Sequence, residues 1–272
     1  MRTWVFADFA VPSEDDIKML ADCGVSDVVL GVATSKGNWK LNYSREKWLE
    51  AAKLCSQHFM KHHYMFWGVP NPNHMTMALE TLTSMGSVSG ATSIMIDAEG
   101  TWHKGNTADR DATIDVLSEY DGYFGVTGLD RMHKTVKPLA EKVDYLLPQA
   151  YSFWKPGGAE HWSHSTHTFP AYQQRRAYES WGVPFPSKPY VMGLACYWGK
   201  RPKSGVFPGI TDIQSMRFAM TETIAIWHEA ANGSEHPEGW FHGVAYWSLK
   251  HLRGDTAERQ ARREFLTMLQ EA

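Results

Sequence analysis

Cysteine is scarce in this sequence: of 272 residues only Cys23, Cys55 and Cys196 carry a thiol. They are odd in number and follow no metal or redox spacing, and two of them fall on apolar helix faces. That excludes a disulfide framework and points to buried thiols in a reducing compartment. A large charge of one sign is also missing. At a net charge of −3 the chain carries no basic field to draw in nucleic acid, and none is expected as a partner. No apolar run approaches membrane-spanning length, and the N-terminus meets Asp8 before any signal-peptide apolar region forms. No membrane partner is expected, and synthesis is expected in the cytoplasm without a signal peptide. No Gly-rich phosphate loop follows the first strand and Gly-x-Ser-x-Gly is absent, so nucleotide-dependent and serine-hydrolase readings fall away.

What the chain has in surplus is aromatic surface: 13% of residues, including 12 Trp. Trp and Tyr near loops form platforms for ligands with apolar faces, sugars among them, although Trp also fills cores. Apolar runs and helical spacings alternate along the chain. Strands are predicted at 3–10, 27–33, 64–69, 93–96, 123–127, 143–151, 190–194 and 243–247. A helix is predicted after each: from Ser13 to Gly24, along Trp48, Ala52, Cys55 and Phe59, over 75–85, 108–120, 132–141, about 170–181, along Ile213 to Trp227, and over 257–272. Strict alternation without a linker or charge block predicts an α/β fold, a single (β/α)8 barrel over 1–272, regular or irregular, with no separate wall-binding domain.

The fourth predicted strand ends in Asp97-Ala98-Glu99-Gly100. Side chains alternate along a strand, so Asp97 and Glu99 point to one side with Met95 beneath them. Two acids that close disfavour double ionisation, which leaves one as a proton donor beside a charged partner, the equipment of glycoside hydrolysis. A barrel gathers strand ends around one mouth, which brings Asp8 from the first strand, Gln149 and Tyr151 from the sixth and Trp247 from the eighth toward that pair. Trp67 and Trp102, at strand ends or in the loops that follow, are candidate subsite walls. Gln149 and Tyr151 offer a donor, acceptors and an aromatic face to sugar acetamido or hydroxyl groups, and Trp247 a cleft floor. The loop carrying His161, His164 and His167, with His103 in another loop, is the rival metal signal. It has no companion HExxH or Cys pair, so no metal or cofactor is expected.

The Asp8, Asp97 and Glu99 placement resembles the barrel-type muramidases of glycoside hydrolase family 25, common among phage endolysins and bacterial autolysins. Residues 28–37, the segment Pro148-Gln149-Ala150-Tyr151 and Ala245-Tyr246-Trp247-Ser248 are similar to further short motifs of that family. The first acid here sits in Phe6-Ala7-Asp8-Phe9-Ala10 rather than Gly-x-Asp-x-Ser. Family 18 chitinases also end their fourth strand in Asp-x-Glu, but with aspartates where Ser93 and Met95 stand. The resemblance implies a monomeric hydrolase of β-1,4 bonds in peptidoglycan or a related polysaccharide, acting on the cell wall after release. Glu99 would be the general acid, Asp97 an ionised partner, and Asp8 would position water or substrate. The competing readings are a chitinase-like or other polysaccharide hydrolase, a catalytically silent glycan-binding barrel, and a metal-dependent amidase or deacetylase using the histidine loop.

Overall fold

The computed structural model describes residues 2–7, 9–129, 131–150, 176–195 and 241–271. Numbered in chain order, the strands are β1 (Thr3–Phe6), β2 (Asp27–Thr34), β3 (Lys40–Leu41), β4 (Lys61–Trp67), β5 (Ser93–Asp97), β6 (Phe124–Leu129), β7 (Tyr145–Gln149), β8 (Tyr190–Ala195) and β9 (Phe241–Trp247). All but β3 pair in parallel, and β1 pairs with both β2 and β9, so eight strands close into a barrel. The two-residue β3 is an antiparallel addition to the end of β2, inside the stretch expected to be loop. The predicted third strand begins three residues earlier than its apolar run suggested. His62 and His63 are buried strand residues whose polarity hid them.

The helices α1 (Glu14–Asp22), α2 (Arg45–Gln57), α3 (Pro72–Ser89), α5 (Thr107–Ser118) and α7 (Ala257–Glu271) follow the predicted stripes. Ser13 and Asp16 close the expected capping box of α1, and Arg253 holds Asp16 with two 2.7 Å bonds. α3 starts where Asn71 caps the His74 amide and ends at Gly90, whose φ of 76° suits a residue without Cβ. A single turn, α4 (Thr101–Lys104), stands directly after the acid pair. Helix α6 (Lys137–Lys142) is shorter than predicted, because the His133 carbonyl takes the amides of Val136 and Lys137 and turns the chain before the helix begins. The predicted helix over 213–227 lies outside the described residues.

Two apolar clusters follow from strand alternation. Val28, Leu30, Phe66, Ile94, Ile96 and Leu146 face outward against the helices, while Trp4, Phe6, Met65, Met95, Leu147 and Ala245 fill the barrel interior. Gly125 is required inside, since a Cβ there would come within 2.1 Å of the Tyr145 ring. The interior's N-terminal end is polar. Asp27 accepts from Arg2 Nε at 3.0 Å and Ser26 Oγ at 2.6 Å, and lies 3.0 Å from His63 Nε2. His63 Nδ1 is 2.7 Å from Ser93 Oγ, which is 2.8 Å from the Tyr145 hydroxyl. Burial pushes Asp27 upward, but the bonds from His63, Arg2 and Ser26 outweigh it and hold the carboxyl below its ordinary value. Burial holds His63 below its own ordinary value, with Asp27 opposing. A charged Asp27 therefore accepts from Nε2–H of a neutral His63, whose Nδ1 accepts from Ser93, which accepts from Tyr145. Every member of the chain is satisfied, which is what a polar barrel floor needs.

Candidate active site

The C-terminal mouth is set by strand register. Asp97 is the last residue of β5 and pairs with Trp67 of β4 on one side and Thr127 of β6 on the other. Met95 lies one inward position below it, in the interior cluster. Asp97 is only 4% exposed. The strand then ends, Ala98 stays buried with its amide on the Thr127 carbonyl at 2.9 Å, and Glu99 emerges half-exposed. The Glu99 carbonyl takes the Trp102 amide at 2.8 Å, so the α4 turn is built onto the residue carrying the second acid.

Gln149, at the end of β7 and 7% exposed, reaches across to this pair. Its Nε2 donates to Asp97 Oδ1 at 3.3 Å and to Thr127 Oγ1 at 3.5 Å. Both N–H groups of the amide are thus aimed at oxygens of the mouth, which leaves Oε1 as the acceptor on offer. Burial pushes the Asp97 carboxyl well above the ordinary carboxylate range, the charge of Glu99 adds to that, and the Gln149 bond offsets only part of it. Of the two acids, Asp97, expected to stay ionised, is the one whose protonated form the surroundings favour, because it sits on apolar Met95 inside the barrel while Glu99 reaches solvent.

The other expected site residues divide three ways. Trp67 and Trp247 end their strands half-exposed at the mouth, with the Trp247 ring 5.1 Å from that of Phe6. The Trp247–Ser248 peptide is cis. Trp102 is corrected: it belongs to α4 and is fully buried in the core, so no ring face is open to a ligand. Asp8, Tyr151 and the histidines His161, His164 and His167 lie outside the described residues. Among the described residues no group of three or more His, Cys, Asp or Glu is placed to hold a metal ion, and no helix is long and apolar enough to cross a membrane.

Two site residues escaped the sequence reading. Thr127 is buried beside Asp97, and the cue was its strand position level with the acid. His133, in the loop after β6, stacks on His103 of α4 with ring centroids 4.3 Å apart and planes at 22°. Nothing in the spacing of 103 and 133 announces that contact.

No protein-family model matches the sequence, and no curated protein matches it. Solved structures do match in fold. A class V chitinase from Pseudomonas fluorescens Pf-5 superposes with a TM-score of 0.63 at 13% identity, over 97% of this chain and 98% of that one. A GH113 beta-1,4-mannanase gives 0.63 at 11% identity, over 100% and 98%. The spore cortex-lytic enzyme SleL of Bacillus cereus gives 0.57 at 13% identity, over 98% of this chain and 74% of that one. At these identities the likeness is one of architecture, a (β/α)8 barrel over essentially the whole chain.

Proposed function

We propose that the protein is a glycoside hydrolase acting next to N-acetylated amino sugars, with peptidoglycan as its polysaccharide. The observation that carries the reading is the unequal acid pair at the mouth: a buried Asp97, held by Gln149 and pushed toward its protonated form, and a half-exposed Glu99 two residues further on. Such a division is the arrangement acid–base chemistry at neutral pH uses. Chitinases, a mannanase and a cortex-lytic enzyme share the barrel, which favours a glycan substrate.

Glu99 is the general acid. Half-exposed, it takes a proton from solvent as substrate enters the mouth, gives it to the glycosidic oxygen as the bond breaks, and as carboxylate takes one from the incoming water, while Asp97 keeps its own. Asp97 is a poor nucleophile, because a neutral, buried carboxyl has neither the charge nor the reach to attack the anomeric carbon. Its O–H donor beside the Gln149 Oε1 acceptor complements an amide, which offers a carbonyl and an N–H in return. A 2-acetamido group fits that pair, and its carbonyl oxygen can take the nucleophile's role in substrate-assisted hydrolysis. Trp67 and Trp247 supply aromatic walls for sugar faces, and Asp8 and Tyr151 complete the proposed set. Cleavage of chitin is the second reading, since the same acid pair and acetamido contact serve a polymer of N-acetylglucosamine.

The experiment is digestion of peptidoglycan and of chitin oligosaccharides, with borohydride reduction and mass spectrometry of soluble products. New reducing ends are expected, and Glu99→Gln should lower their rate of formation by about 10²–10⁴-fold with the fold intact. The reduced sugar names the bond cut. Release of free peptides without new reducing ends would refute the assignment and move the chemistry to an amide bond.

A further inference from the structure

The loops that follow β5 and β6 meet through His103 and His133, and that contact has the chemistry of a second binding feature. Both rings are half-buried at the mouth, on the side of Glu99. The Thr135 backbone amide donates to His133 Nδ1 at 3.3 Å, with Thr135 Oγ1 at 2.8 Å. An N–H can only donate, so Nδ1 is the acceptor nitrogen and the ring proton of neutral His133 sits on Nε2. That Nε2–H has no hydrogen-bond partner among the described residues, and neither ring nitrogen of His103 has one. The ring faces are used by the stack, and the polar edges are left over.

The charges around these edges are mostly positive. Lys104 follows His103, and Arg110 reaches back to the carbonyls of Trp102 and Gly105. Arg131 and Lys134 flank His133, with Lys137 opening α6; Asp130 of the same loop lies outside the described residues. Glu99 stands at the start of the first loop. Glu179 lies on the segment whose Ser180 hydroxyl accepts the Met132 amide at 2.7 Å. Lys104, Arg131 and Lys134 are exposed in a chain whose overall charge is negative. Burial and the neighbouring ring hold His103 below its ordinary value.

We propose that the free edges of the His103–His133 stack form a subsite for a carboxylate carried on the glycan, making the enzyme selective for acidic over neutral amino-sugar polymers. The inference rests on the glycan-hydrolase reading and adds to it the charge of the substrate. A lactyl ether on the amino sugar and a uronate in the chain present the same carboxylate chemistry. A carboxylate beside His103 favours its protonated form, so the preference strengthens as pH falls.

The test uses the full chain as Glu99→Gln, so that bound sugar is not consumed, and isothermal titration with three tetrasaccharides. One is neutral chitotetraose, one alternates N-acetylglucosamine with lactyl-bearing N-acetylmuramic acid, and one alternates N-acetylglucosamine with glucuronate. A carboxylated probe should bind about tenfold tighter than the neutral one at low salt, the scale of one charge-assisted hydrogen bond. The two acidic probes tell which carboxylate fits. Adding His133→Phe, which keeps a stacking ring but removes the Nε2 donor, should abolish the preference while chitotetraose binds as before; His103→Phe is the second variant. Raising salt from about 0.02 M to about 0.5 M should weaken the preference as well. Equal affinity for all three probes, or a preference that survives both substitutions, overturns the subsite and leaves the hydrolase reading standing. No binding of any probe overturns both.

Discussion

Replacing Asp97 with asparagine tests the electrostatics of the site without reference to any substrate. A carboxyl whose folded pKa lies above its unfolded value keeps a proton that the unfolded chain has released. Unfolding then releases a proton, and stability falls as pH rises from the unfolded value, about 3.9, to the folded one. Asp97 is in that position through burial on Met95, the charge of Glu99 and only partial relief from Gln149. The full linkage slope for one proton is about 1.4 kcal/mol per pH unit. Asn removes the titration while its side-chain oxygen can still accept from Gln149 Nε2. The stability difference, Asp97→Asn minus wild type, should therefore grow with pH from about 4 upward, approaching that slope until the folded carboxyl ionises. Urea unfolding followed by Trp fluorescence at a series of pH values measures it, with m-values expected to match. A difference that stays flat with pH would show that Asp97 ionises as in the unfolded chain, and would remove the argument that it is the neutral partner.

His62 works in the opposite sense. It is 1% exposed, its Nε2 lies 3.0 Å from Ser89 Oγ, and burial with the neighbouring His63 lowers it to about 4. The unfolded chain takes a proton near pH 6.5 that the folded one refuses, so stability should fall between about 6.5 and about 4 by up to about 3 kcal/mol. His62→Gln should flatten that limb in thermal melts taken across the range. At the barrel floor, Asp27→Ala leaves Arg2 and His63 without their carboxylate and should cost about 3–5 kcal/mol in urea unfolding. Trp102→Ala should cost about 3–5 kcal/mol as a core cavity, whereas Trp67→Ala should chiefly raise KM, with stability and KM measured on both variants.

The barrel was legible because its signals are local. β-rich apolar runs alternating with capped amphipathic stripes gave the eight parallel strands and the helices that flank them among the described residues, and the capping box at Ser13 and Asp16 formed as read. The errors fell where tertiary partners override local character. His62 and His63 look polar but belong to β4, since Ser89 and Asp27 satisfy them inside the fold. Trp102 looked like a loop aromatic, but α4 turns it into the core. The floor of Arg2, Asp27, His63, Ser93 and Tyr145 was not foreseen, because its members come from β2, β4, β5, β7 and the segment before β1. Five residues so far apart in sequence share no periodicity, and only barrel closure makes them neighbours.

The acid pair shows how far alternation reaches. That Asp97 lies on the face above Met95 follows from period-two geometry, and the sequence contains it. Which acid is pushed toward its protonated form depends on where the strand stops. The ladder ends at Asp97, Ala98 keeps one last bond to the Thr127 carbonyl, and the chain then leaves the barrel, so two acids two residues apart meet different media. One more residue of strand would carry the protein interior toward Glu99, and one fewer would expose Asp97. The end of a strand is poorly marked in a sequence, especially where Gly100 and a short turn follow, yet it sets the dielectric around each carboxyl. Charge assignment at the mouth is therefore a property of the barrel's rim, and the same two acids on a strand of different length would exchange their parts.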